Sequence, residues 1–341
     1  MTKRVLNLYP LPADTLARIA KIPGLQVDHH DDPRYPTDLD DVADLDQYDA
    51  VIGDLSKRAF DRATNLKWMA TMGAGVDHLA GHGLAERDGL TLTNGSGLHG
   101  VSMGEHVLGA ILFAAQHHPT RLEFQRRRAW DPVDQVRAVR IRGKTIVIVG
   151  YGTIGREIGR LADAFGMRVL AVRMDPSRRE DRGFDAEAAA GIGDPEGRIP
   201  ERIVGPDQLH DVFGEADYVV LATPLTPASR GMVDAAAFAA MKPGAWLVNI
   251  ARGGLIDDDA LLKAVRSGHL AGAHLDAFPQ EPLGGEHDFW AEPNIYISQH
   301  VAGMNSTEHY WPLVGALMEE NLRRFAADEP LINVVDVRRG Y

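Results

Sequence analysis

Cysteine is absent from the 341 residues, which excludes disulfides, a thiol nucleophile, Cys-ligated metals and Fe–S clusters. No stretch approaches ~18 uninterrupted apolar residues, so no segment reads as a transmembrane span. Positive charge is in short supply: 36 Lys plus Arg against 48 Asp plus Glu give a formal net charge of −12. That sign disfavours nucleic acid and anionic membrane surfaces as partners, and an anionic substrate must be drawn in by a local cation. The opening stretch MTKRVLNLYPLPADTLARIAK has no long apolar core followed by a small-residue cleavage site, so a cytoplasmic protein is expected. Fourteen histidines occur, but His78 and His82 have no HExxH context, and no metal is expected.

What remains is an ordinary soluble balance, 45% apolar and 25% charged. At roughly 100–200 residues per domain the length predicts two domains. Short apolar runs alternate with polar helical ones. Val5–Tyr9, Ala50–Ile52, Leu66–Met72 and Leu90–Asn94 read as buried parallel strands, with Pro12–Lys21 and Ala80–Asp88 as crossover helices or loops. Ser102 to Gln116 reads as an apolar helix at a domain junction, Ser102 and Glu105 having capping-box spacing. A second series follows, with strands at Ile146–Val149, Val169–Val172, Tyr218–Ala222, Trp246–Ile250, Leu270–Leu275 and Ile295–Ser298. Thr307–Ala326 is a late helix that contains Pro312, and Arg178–Arg202 reads as a long exposed loop. Repeated βα units predict an α/β fold of doubly wound parallel sheets.

TIVIVG-YGTIG-REIG places Gly150, Gly152 and Gly155 after a strand and at the start of a helix, the context of a dinucleotide fingerprint. Gly150 permits the turn, Gly152 lets backbone approach a pyrophosphate, and Gly155 allows close helix–strand packing. Amides near Thr153 and Ile154 then face the phosphates. Arg173 ends the next strand where an NAD-specific fold has an acid. It can grip a 2′-phosphate, so NADP(H) is expected as the preferred cofactor and NAD(H) as the second. Asp175, two residues on, pulls the other way, and Arg173 also fits stacking on adenine or a solvent contact.

Three strand ends carry chemistry-bearing side chains: Arg252 in VNIARGGLID, Asp276 and Glu281 in LDAFPQEPL, and His300 in ISQHVAG. In an open α/β sheet these are the positions where ligands bind. Arg252 can bind a carboxylate and polarise a carbonyl, His300 can transfer a proton, and Glu281 can orient His300. Each also fits a purely structural part: Arg252 capping a carbonyl, Glu281 before Pro282 in a surface turn, His300 satisfied within the fold.

The ordered set GAGVDH, GYGTIG, VNIARGGLID, LDAFPQEPL and ISQHVAG, with NLRRFAADEPLINVV near the end, resembles the D-isomer-specific 2-hydroxyacid dehydrogenase family. The match runs from about Leu66 to Val334, and NADP(H) use points to its glyoxylate/hydroxypyruvate reductase-like branch. The resemblance implies two Rossmann/flavodoxin-like domains, the dinucleotide-binding domain (103–303) inserted into a discontinuous substrate domain (1–102 and 304–341), with a cleft that closes over substrate. It implies that Arg252, Glu281 and His300 are the catalytic triad, His300 donating the proton in reduction. It implies that the amides of Ala74 and Gly75 hold the substrate carboxylate and that Asp276 binds the carboxamide. Ala251 and Gly303 then line the nicotinamide, and Thr223 and Pro224 flank the adenosine half. The substrate is a small 2-oxo or 2-hydroxy carboxylate and the protein a homodimer. Gln116 and His117 depart from the family, which often has Arg there, and receive no role. The alternatives are a short-form phosphoglycerate dehydrogenase, or a non-enzymatic dinucleotide-sensing corepressor-like protein.

Overall fold

The structure, a computed structural model, describes residues 2–30, 39, 42, 44–130, 137–181, 183–187, 191–304 and 307–340. The chain divides into two units. Unit 1 takes Met1–Leu98, Gly183–Glu187 and Asn305–Tyr341, and unit 2 takes His99–Arg182 and Ala188–Met304.

Unit 1 is built on five parallel strands, β1 (Lys3–Asn7), β2 (Leu25–His29), β3 (Ala50–Ile52), β4 (Trp68–Ala70) and β5 (Thr91–Thr93), in the order β2-β1-β3-β4-β5. That is the flavodoxin-like doubly wound order. Helices α1 (Ala13–Ile19) and α2 (Lys57–Arg62) make crossovers, and Ser56 caps α2 by accepting from the Ala59 amide. The C-terminal helix (Thr307–Ala326) adds a stripe of Val314, Leu317, Met318 and Leu322, fully buried among Val5, Ile52 and Trp68. The 314, 317, 318, 322 spacing is one face of an α-helix. Asn321 lies on the same face. Its amide bonds both the N–H and the C=O of Ile332, which satisfies a polar group that burial would otherwise penalise. Pro312 sits inside this helix.

Unit 2 has seven parallel strands: β6 (Thr145–Val149), β7 (Arg168–Val172), β8 (Arg202–Val204), β9 (Tyr218–Leu221), β10 (Ala245–Asn249), β11 (Leu270–Leu275) and β12 (Ile295–Ile297). Their order, β12-β11-β10-β9-β6-β7-β8, reverses direction between β6 and β9. This is the Rossmann switch point, and ligands bind at the carboxyl ends beside it. The helices are α3 (Gly100–Ala115), α4 (His118–Arg127), α5 (Thr153–Ala164), α6 (Leu209–Phe213), α7 (Ala235–Ala240) and α8 (Asp258–Arg266). Gly104 of α3 sits so close to α5 that a Cβ there would lie 2.9 Å from Glu157 Cγ.

Three readings of the sequence need correction, and a fourth is made specific. The α3 helix begins at Gly100, and Ser102 bonds back to the His99 carbonyl, so no capping box forms. Ala80–Asp88, read as a helix or a loop, falls on two 3-10 segments, Asp77–His82 and Leu84–Glu86, with no α-helix. Two strands, β2 and β8, were not anticipated. Finally, the Arg178–Arg202 stretch is not simply an exposed loop, although 182 and 188–190 lie outside the described residues. Asp194 is 6% exposed and accepts from the Tyr151 hydroxyl and the amides of Arg198 and Ile199. Arg156 donates to the carbonyls of Asp194 and Arg179, while Glu157 accepts from the Gly193 amide. The far side of the stretch is therefore fastened to the start of α5.

Trp68 is fully buried in unit 1, its Nε1 donating to Thr93 Oγ1 at 2.9 Å. Trp68→Ala is expected to cost about 3–5 kcal/mol through the cavity and the stranded hydroxyl. The measurement is the shift of the unit 1 transition in urea unfolding, and an unshifted midpoint would contradict this packing.

Candidate active site

Gly150 follows β6 with φ +100, and a Cβ there would lie 2.3 Å from the Ala222 carbonyl oxygen and 2.8 Å from the Thr223 amide. Only glycine permits that conformation and that approach, and the contact joins the two strand ends of the switch point. Gly155 packs against the Gly150 carbonyl, where a Cβ would come within 2.1 Å. Gly152 is different: nothing lies within 4 Å of its Cβ position. It is also the N-cap of the twelve-residue α5, and no side chain caps that end. The amides that follow, including Thr153 and Ile154, lie at a positive helix terminus that no side chain caps, beside the open space at Gly152. This cradle fits a pyrophosphate.

Arg173 follows β7 and is half-buried. Its Nη1 donates to the Arg178 carbonyl at 2.5 Å, and its amide donates to Val204. Burial, reinforced by the nearby Arg156 and Arg178 charges, pushes its guanidinium below the usual arginine range. Asp175 is engaged elsewhere, accepting from the amide and the hydroxyl of Ser177, which hold its carboxyl below the usual range.

At the other strand ends of unit 2 the structure gathers the remaining groups. Asn249, fully buried at the end of β10, accepts from the Ala251 amide and donates to the Arg252 carbonyl, shaping the turn that carries Arg252. The Arg252 Nη1 bonds the Ala251 carbonyl at 2.9 Å. Behind it, Gly253 lies flat on the Phe278–Pro279 backbone, a Cβ there falling 2.1 Å from the Phe278 carbonyl carbon. Phe278 in turn donates its amide to Glu281 Oε1 at 2.8 Å, and Glu281 Oε2 stands 2.7 Å from His300 Nδ1. One carboxylate oxygen is thus tied to the backbone and the other holds the imidazole.

His300 has φ +55, a left-handed conformation uncommon for a side-chain-bearing residue. Asp276 keeps it there. The carboxylate is 1% exposed; Oδ1 accepts from the Val301 amide and the Ser298 hydroxyl, and Oδ2 accepts from the Ala302 amide. Gly303 closes the turn, its carbonyl 3.2 Å from His99 Nδ1. Ala74 and Gly75 belong to unit 1, where Asn94 donates to the Ala74 carbonyl and Gly95 to that of Gly73. Thr223 and Pro224 follow β9, and the Pro224 carbonyl accepts from Ser229. Among the described residues no cluster of three or more His, Asp or Glu is placed to hold a metal ion.

Asn249, Ser298 and His274 were not singled out from the sequence. A polar residue at the end of an otherwise apolar strand, as in WLVN and IYIS, is the signal that marks the first two.

Unit 2 matches the family model described as the D-isomer specific 2-hydroxyacid dehydrogenase NAD binding domain, over residues 108–302. The chain is 30% identical over 314 residues to a glyoxylate reductase of Pyrococcus furiosus, covering 88% of this chain and 87% of that one. It is 32% identical over 278 residues to a D-3-phosphoglycerate dehydrogenase of Bacillus subtilis, covering 82% of this chain but only 49% of that protein. The chain spans about half the length of such phosphoglycerate dehydrogenases. Among solved structures, an NADPH-dependent glyoxylate/hydroxypyruvate reductase of Sinorhizobium meliloti, in complex with NADP and sulfate, superposes with a TM-score of 0.76 at 26% identity. That likeness covers 99% of this chain and all of the other.

His274 on β11 carries a consequence for pH. Burial, with the nearby His106, pushes its imidazole down to about 4. The unfolded chain, with an ordinary value near ~6.5, therefore binds a proton that the folded one refuses between those limits. Stability should be fully present above about pH 6.5 and fall by ~3 kcal/mol as pH drops toward 4. Urea unfolding of wild type and His274→Leu at pH 7 and 4.5 measures it; equal pH slopes in the two proteins would show the effect absent.

Proposed function

Since the chain belongs to the D-isomer specific 2-hydroxyacid dehydrogenases, a family of NAD(P)-dependent oxidoreductases, we propose that it is an NADPH-preferring reductase of small 2-oxo carboxylates that forms the (R)-2-hydroxy acid. The observation that carries this reading is the Glu281–His300 pair, 2.7 Å apart, at the strand ends of a unit with an intact dinucleotide cradle. We assign unit 2 to the dinucleotide and unit 1 to the substrate, with functional domains of 103–303 and 1–102 plus 304–341 except that Gly183–Glu187 goes with unit 1.

The cofactor fits the residues present. Gly150, Gly152, Thr153, Ile154 and Gly155 would hold the pyrophosphate, Thr223 and Pro224 the adenosine side, and Ala251, Asp276 and Gly303 the nicotinamide. Arg173 is assigned to the 2′-phosphate; Asp175, held ionised by Ser177, opposes that assignment with its charge, which solvent screens at this exposed position. When bound, the reduced nicotinamide supplies a hydride to the substrate's carbonyl carbon.

The chain's own groups do the rest. Arg252 binds the substrate carboxylate through its guanidinium fork and draws electron density from the neighbouring carbonyl. The amides of Ala74 and Gly75 are assigned to the substrate carboxylate. His300 delivers a proton from Nε2 to the oxygen as negative charge develops there. Glu281 fixes the ring through Nδ1 and, with its other oxygen on the Phe278 amide, resists rotation.

Loss of nicotinamide absorbance across a panel of 2-oxo acids, with NADPH and NADH in parallel, tests the reading. Glyoxylate and hydroxypyruvate are expected to turn over. Binding of both cofactors with no 2-oxo acid reduced would overturn the assignment in favour of a dinucleotide sensor. His300→Gln is expected to lower kcat by roughly 10²–10⁴-fold with NADPH affinity retained; retained turnover would mean that another group supplies the proton. Arg173→Asp should shift the kcat/KM ratio toward NADH by ~tenfold or more, because attraction to the 2′-phosphate becomes repulsion. An unchanged ratio would remove Arg173 from that site.

A further inference from the structure

His274 and Ser298 stand behind the catalytic turn and have no part in the reaction as assigned above. The Ser298 hydroxyl is 2.5 Å from Asp276 Oδ1 and 3.2 Å from His274 Nε2. His274 Nε2 is also 3.1 Å from Nε2 of His106 on α3, the two rings meeting edge to face with centroids 5.1 Å apart. The other ring nitrogen, His274 Nδ1, is buried with no hydrogen-bond partner.

These contacts assign the protons. Asp276 accepts at both oxygens, so the single Ser298 hydrogen points to Oδ1. Ser298 Oγ must then accept from His274, which puts the His274 proton on Nε2. The bare lone pair falls on Nδ1, the buried nitrogen without a partner. A lone pair stranded there costs less than a stranded N–H, since unpaired donors are the rarer case in protein interiors. His106 Nε2 faces the same His274 proton and accepts it, leaving its own proton on Nδ1.

From this we infer that His274 and Ser298 are positioning residues for proton transfer: a one-directional donor chain, His274 to Ser298 to Asp276, fixes the carboxylate that holds His300 in its left-handed turn. The inference rests on His300 being the proton donor. Rotation of Asp276 would release the Val301 and Ala302 amides together, and with them the backbone that aims the imidazole. Serine's hydroxyl stops that rotation from one side, and His274 stops the hydroxyl from turning away. The arrangement needs a donor at the His274 position and a hydroxyl at the Ser298 position, and it needs nothing else of either side chain.

Selective 15N labelling of histidine in the full chain reads the tautomer directly. An Nε2–H, neutral His274 at pH 7 is expected; an Nδ1–H tautomer or a cationic ring overturns the donor chain. In steady-state assays Ser298→Ala should lower kcat roughly tenfold, and Ser298→Thr should restore it to within about twofold of wild type. His274→Gln, which keeps an N–H donor, should retain more activity than His274→Leu. Equal kcat in the Ala and Thr variants, or in the Gln and Leu variants, overturns the proposal, because a packing role would not distinguish them this way. If wild type reduces no 2-oxo acid, the assignment of His300 falls separately. Amide exchange at Val301 and Ala302 then decides this one: faster exchange in Ser298→Ala sustains it, and unchanged exchange overturns it.

Discussion

A carboxylate with almost no access to water anchors the functional half of unit 2. Burying Asp276 is costly unless donors meet it, and the fold supplies them from a single short segment, Ser298 to Ala302. The cost of desolvation becomes a geometric constraint: the segment must curl so that two successive amides and a hydroxyl converge on one group. His300 takes its left-handed conformation as a result, and its ring is then met by Glu281. The Glu281 segment is held by the backbone around Gly253, and that turn by Asn249. Three strand ends are in this way tied to one another, by the buried carboxylate of Asp276 and amide of Asn249, by the close backbone approach at Gly253, and by the more exposed Glu281–His300 hydrogen bond.

Much of this was legible in the sequence because parallel sheets write their strands as apolar runs. Leu270–Leu275 appears in the structure with the boundaries read from sequence, and the other strands of unit 2 that were read shift by about one residue. The glycines were legible for a different reason: Gly150 and Gly155 stand where backbone meets backbone, and their spacing is set by the turn itself. The family and the two parallel-sheet domains follow from the same motifs.

The misses have separate physical causes. Leu25–His29 is an edge strand with exposed and half-buried positions, LQVDH, and so lacks the apolar run that marks a central strand. Arg202–Val204 is three residues long, also at an edge, and begins on an exposed arginine. Ser102 and Glu105 have capping-box spacing, but α3 starts two residues earlier, so Ser102 is already inside the first turn. Asp194 could not be found from composition, because its stretch is rich in charge and glycine and its burial depends on Tyr151, distant in sequence. Where pairing partners are far apart along the chain, periodicity carries no trace of them.

The Arg178–Arg202 stretch has one more consequence. Its flanks belong to unit 2, but Gly183–Glu187 belongs to unit 1, where Ala186 donates to the Gly97 carbonyl and Phe184 packs at the rim of the apolar cluster around Trp68. Gly97, at φ +89, has the Phe184 carbonyl oxygen 2.0 Å from where a Cβ would be. The polypeptide therefore passes between the units four times rather than twice. A cassette exchange that lifts 103–303 out of one homologue and sets it into another would carry away five residues of the host's own unit. A chimaera of this protein has to be cut around that segment, or carry Gly97 and its neighbours along with the graft.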